Sequence, residues 1–130
     1  MTVVETGGEL FGGGTAAGRR VLLPWGDASF DVSALNADGL TIMQRAIEWA
    51  EGAGAAASPQ TILFVVPDAA ALGPQDTAKK TLMESWGFDV SLITAAEPQS
   101  VFDAAVASAD VAYISEESVS GDTNTKLRDA

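Results

Sequence analysis

Two hydrophobic periods alternate along the chain. Val21-Leu22-Leu23, Ile62-Leu63-Phe64-Val65-Val66 and Val111-Ala112-Tyr113-Ile114 are short apolar runs rich in branched residues, the pattern of parallel strands buried on both faces. Phe88 to Thr94 alternates instead. Its Phe88, Val90 and Leu92 point one way and Asp89 and Ser91 the other, which predicts a strand nearer a sheet edge. Between these runs the apolar spacing changes to three and four, the period of a helix. Met43, Ala46, Ile47 and Ala50 mark a helix over Leu40 to Ala50, with Asp38 as its expected N-cap and Gly52 as its stop. A second runs from Pro74 to Trp86, where the proline suits the first turn, Ala78, Leu82 and Trp86 line one stripe, and Gly87 ends it. Pro98 opens a third, with Val101, Phe102, Ala105, Val106 and Ala109 as its buried side, and Thr123 to Ala130 has the pattern of a further helix start.

From Thr61 onward the order is strand, helix, strand, helix, strand, helix. That order predicts an α/β fold: a three-layer, mostly parallel open sheet, flavodoxin-like or Rossmann-like, with helices on both faces. Ahead of it, Val3-Val4-Glu5 and Leu10-Phe11 predict a short N-terminal hairpin around Gly7-Gly8, leading into Arg20 to Leu23. A chain of 130 residues supports one core, so a single domain is expected over 1–130. It divides into a strand-and-helix piece at 1–51, an alanine and glycine linker at 52–60, and repeated strand-helix units at 61–130.

Charge narrows the partners. Eighteen acidic and seven basic residues give a net charge of −11, which repels phosphate backbones and anionic lipid, so neither nucleic acid nor a membrane surface is an expected partner. The chain has no cysteine and no histidine. These absences remove disulfides, thiolate nucleophiles, the usual zinc and copper ligands, and the imidazole base of hydrolytic triads. Carboxylates alone can perform acid–base work in glycoside hydrolysis, yet no spacing here singles out such a pair. The expectation is a chain that is not an enzyme and takes no cofactor. No apolar run reaches the roughly 18 residues of a membrane span, and Met1-Thr2-Val3-Val4-Glu5 lacks the basic start of a secretory signal.

Few segments offer binding chemistry. Gly12-Gly13-Gly14-Thr15-Ala16-Ala17-Gly18 contains G-x-G-x-x-A, but Arg19 to Leu23 continues as a strand, whereas a dinucleotide site needs a helix there. A hairpin tip is the better reading. Asp68 follows one buried strand, and Ser115 and Glu116 follow another. With a 2-1-3 strand order these carboxyl ends flank the topological switch point, so the three residues are the candidates for a small ligand or a hard cation such as magnesium or calcium. The bland alternative is that Asp68 caps a turn and the glutamates are solvated. Trp25 and Phe30, in a loop with Asp27 and Asp31, together with Trp49 and Trp86 on helices, are candidates for core packing or a protein contact.

Gly18-Arg19-Arg20-Val21-Leu22-Leu23-Pro24-Trp25-Gly26, then Asp38-Gly39-Leu40 and Arg45-Ala46-Ile47-Glu48-Trp49-Ala50, resemble the closing strand and final helix of class I glutamine-amidotransferase-like domains, including ThuA-like ones. Ile62 to Ala130, with Gln75-Asp76, Glu84-Ser85-Trp86-Gly87-Phe88 and Tyr113-Ile114-Ser115-Glu116-Glu117, resembles the opening half of such a domain. The halves stand in permuted order, as in an excerpt straddling two tandem modules or in a permuted minimal domain. Catalytic members use a cysteine and a histidine that this chain lacks. The resemblance therefore implies a non-catalytic structural or protein-interaction module of an extracellular or cell-surface assembly, associating with copies of itself as a homo-oligomer or with adjoining modules. The alternative is a domain that binds a small ligand or divalent cation at the carboxyl ends of its parallel strands.

Overall fold

A computed structural model describes residues 1–11, 13–25, 27, 29–52, 60–123 and 126–127. The strands are β1 (Thr2–Val4), β2 (Arg20–Leu22), β3 (Thr61–Val66), β4 (Asp89–Thr94) and β5 (Val111–Ile114); the helices are α1 (Ala37–Glu51), α2 (Pro74–Ser85), α3 (Gln99–Val106) and the single turn α4 (Ser120–Thr123). A 3-10 turn at Val32–Ala34 precedes α1.

β3 organises the core. Five of its six residues, Ile62 to Val66, are buried, and burying each such side chain contributes about 1.5–3 kcal/mol. It is the middle strand of a parallel sheet in the order β4-β3-β5, in register with both neighbours from Ile62 onward. Alternation sends Ile62, Phe64 and Val66 to one face, where they meet Met43 and Ile47 of α1 and Met83 of α2. Leu63 and Val65 go to the other, with Ile93, Ala95 and Phe102 of α3. Helices therefore lie on both faces, as the strand-helix alternation predicts. The chain passes from β3 to β4 on one side and then crosses back to β5 on the other, which is the 2-1-3 order that places a switch point between the carboxyl ends of β3 and β5.

Local chemistry sets the helix ends. Gly52 closes α1 with φ of 104° and Gly87 follows α2 with φ of 96°, a left-handed conformation that costs glycine nothing. Pro74 occupies the first turn of α2, and Pro98 is the residue before α3.

Several details correct the sequence reading. The N-cap of α1 is Asn36, whose side chain accepts from Gly39 N, and Asp38 lies within the first turn; the cap sits earlier because the helix begins before its apolar stripe. β1 pairs antiparallel with β2, Val3 opposite Val21, and not with Leu10-Phe11. Among the described residues, an isolated antiparallel bridge joins Glu9 and Thr15 there instead, and Gly12 lies outside them. On α2 the buried residues are Asp76, Lys79 and Met83, while Ala78 is exposed. The face is rotated because a charged pair that satisfies itself takes two inward positions. On α3, Phe102 is buried but Val101 is 42% exposed. A single helical turn stands at Ser120–Thr123; of the helix expected from Thr123 to Ala130, residues 124, 125 and 128–130 lie outside the described residues. Of the linker at 52–60, residues 53–59 lie outside the described residues.

Candidate functional site

Three elements meet at the carboxyl end of β5. Ser115 continues the ladder through its N–H to the Val65 carbonyl, and the chain then turns with Glu117 N donating to Ser115 Oγ. From the other side of the switch point, Asp76 and Lys79 project from the first turns of α2, three residues apart and so on one face. Their side chains meet under cover. Lys79 Nζ lies 3.1 Å from Asp76 Oδ1 and 2.5 Å from Glu116 Oε1, with side-chain exposures of 0% for Lys79, 1% for Asp76 and 6% for Glu116. Ser115, itself buried, donates from Oγ to Asp76 Oδ1 at 2.6 Å.

The cluster is a charged rivet between α2 and the loop after β5. One ammonium is shared by two carboxylates, so each ion has a partner of opposite sign, the condition under which charges remain inside a fold. Asp76 Oδ2 is buried without a hydrogen-bond partner. Tyr113 borders the same place and packs edge-on against Phe64, ring centroids 5.4 Å apart. Burial, and then the negative charges of Glu116 and Asp76, push its phenol well above the ordinary range, while the nearby Trp25 indole acts weakly the other way.

A second layer frames the rivet. Gln75 ties α2 to the loop before α1, accepting from Val32 N at 2.9 Å and donating to Asp31 Oδ1 at 3.2 Å. Asp31 also accepts from Ser33 N and Oγ; these Ser33 bonds, followed by the Gln75 bond, lower its pKa. The Glu117 carboxylate comes within 2.9 Å of where a Cβ on Gly73 would stand, so a larger residue at the entry to α2 would turn this side chain aside.

Ser115 and Glu116 come together as their position after the strand suggests, whereas Asp68 stands apart. Its side chain accepts from Ala70 N in an exposed turn. Asp76 and Lys79 belong to the cluster but carry no apolar signal, so hydrophobic periodicity passes over them. A cation has little room in this arrangement, because the Lys79 ammonium already occupies the position between the carboxylates. Among the described residues no group of three or more His, Cys, Asp or Glu side chains could hold a metal ion. Ser115 is 1% exposed and its hydroxyl is held by a carboxylate that Lys79 already pairs, a poor setting for a nucleophile.

Three of the four aromatic candidates turn inward. Trp25 and Phe30 stack at 5.7 Å and 13°, and both pack on the core together with Trp86. Trp49 carries the Arg19 guanidinium over its ring at 5.1 Å. Exposed apolar surface lies elsewhere: Leu22 is 69% exposed, Ile114 48% and Val119 64%. On β5 the inward positions are Val111 and Tyr113, so Ala112 and Ile114 face the α3 side, beyond the reach of α3.

Comparison with protein-family models, with curated proteins and with solved structures returned no match, which leaves the geometry of this chain as the ground for a functional reading.

Proposed function

We propose that the chain is a non-catalytic protein-interaction module that packs against copies of itself or adjoining modules through the β5 side of its sheet. The observation that carries this reading is Ile114, an isoleucine 48% exposed on an edge strand that has no charge, proline or bulge along Val111–Ile114. Such an edge is a template for pairing unless something covers it. Leu22 on β2 and Val119 after β5 are likewise exposed apolar side chains. The resemblance to amidotransferase-like modules of surface proteins agrees with a structural role and with an extracellular setting. Light scattering over a concentration series, at salt high enough to screen the −11 charge, tests the reading. The average mass should rise with concentration, and Ile114→Lys should return it to that of a monomer. A native chain that stays monomeric throughout would argue against self-association.

The alternative, a small ligand or divalent cation bound at the carboxyl ends, draws support from the unpartnered Asp76 Oδ2. Calorimetric titration with magnesium and calcium tests it. Saturable heat that disappears in Asp76→Asn would favour a site at the cluster of Asp76, Ser115 and Glu116, and absence of heat would remove it.

A further inference from the structure

The β5 side has a second wall. β2 and β5 belong to separate sheets with no ladder between them, yet α1 packs against both. Leu23 and Trp25, just beyond β2, join the same core as Val111 and Tyr113. The two segments run in the same direction. At one end, Arg19 donates to the Trp49 carbonyl in the last turn of α1, and Glu51 in that turn is close enough to feel the charge of Asp110, the residue before β5. At the other end, Trp25 lies beside Tyr113. Arg20 reaches from β2 to the Leu127 carbonyl on the α3 side, and strand alternation puts Leu22 on that same side.

Two parallel edges roofed by one helix present backbone groups to a common partner, and the exposed Leu22, Ala112 and Ile114 offer it one apolar face. Charge says what the partner carries. Around the carboxyl end of this lane stand Asp27, Asp31, Glu116 and Glu117. The lysine among them, Lys79, is buried and held by Asp76 and Glu116. Lys126 lies across the sheet, donating to the Ala95 carbonyl after β4.

We propose that the β5–β2 lane takes an extended segment of another polypeptide, paired as a strand parallel to β5, apolar at alternate positions and followed directly by lysine or arginine. This rests on the interaction reading and names the partner for that same surface. The backbone would supply affinity, the alternate side chains register, and the basic residues direction and selectivity.

The test uses the whole chain and three labelled peptides. In one, valine and threonine alternate over six positions and two lysines follow; in the second, two glutamates replace the lysines; in the third, the lysines precede the alternating run. The first should bind at least about tenfold tighter than either control at low ionic strength, with a preference that shrinks as salt is added. Backbone amide shifts should map to Arg20–Leu22 and Val111–Ile114, and Leu22→Lys or Ile114→Lys, both at exposed positions, should weaken binding. Equal affinity for all three peptides, no binding, or shifts mapping elsewhere would overturn the proposal. If the peptides fail while the chain still self-associates through Ile114, the interaction reading stands and the basic-strand partner falls; failure of both removes both.

Discussion

β4 and β5 flank the same central strand and run parallel to it, yet they treat their α3-side positions in opposite ways. β4 places Asp89 and Ser91 there before Ile93 turns in under α3, while β5 places Ala112 and Ile114. Both strands keep apolar residues on the other face, Val90 and Leu92 on β4 and Val111 and Tyr113 on β5. Core packing alone therefore does not distinguish them. A polar edge is how a sheet discourages further pairing, and an apolar one is an edge that expects cover. On the proposed reading, this difference assigns the partner to the β5 side.

The largest test strikes what fixes the carboxyl end of β5. Lys79→Met leaves Asp76 and Glu116 facing each other under cover, and should cost about 3–5 kcal/mol in chemical denaturation. Lys80→Met, on the same helix, removes only the exposed pair with Glu84 and should cost roughly 0.2–0.5 kcal/mol. Equal losses would mean that the rivet contributes nothing special.

Exchanging the characters of the two edges is next. Ser91→Ile should make the β4 side adhesive, and Ile114→Ser should silence the β5 side, each within about 0.5 kcal/mol of native stability because both positions are exposed. Sedimentation velocity reads the result: mass gained by the first variant, mass lost by the second.

Tyr113 lies on the inward face of β5, and its titration reports that side selectively because it is the only tyrosine in the chain. The fold holds the phenol neutral. Its stabilising contribution is intact below the free phenol value of about 10 and is lost as pH rises through the higher folded value. Phenolate absorbance should stay low in the folded chain at a pH where the denatured chain has ionised, and coincident titrations would contradict the burial of this side chain.

The smallest effect lies at the opposite end of β5. Burial, with the charges of Asp110 and Glu48, raises the pKa of Glu51, so its ionised form weighs slightly against the fold at neutral pH. Glu51→Gln should raise Tm a little at pH 7, and the gain should vanish in acid, where glutamate is protonated in both states.

Much of this architecture is legible in the residues. Five successive apolar residues in β3 and the alternation of β4 announce a buried strand and an edge strand, and the strand-helix order gives a parallel sheet. The candidate site is legible only by half. Ser115 and Glu116 stand where a strand ends, a position that attracts notice. Asp76 and Lys79 read as solvated helix surface, because a period-based reading counts apolar side chains and cannot anticipate that two opposite charges three residues apart will be buried together. The relation of β2 to β5 is equally hidden: it depends on α1 spanning both, a tertiary fact without a local signature.

Backbone hydrogen exchange at two concentrations compares the edges within one molecule. If β5 is the side that meets a partner, the amides of Val111–Ile114 slow as concentration rises in screening salt while those of Asp89–Thr94 keep their rates. Equal slowing at both strands, or none at β5, would contradict that assignment.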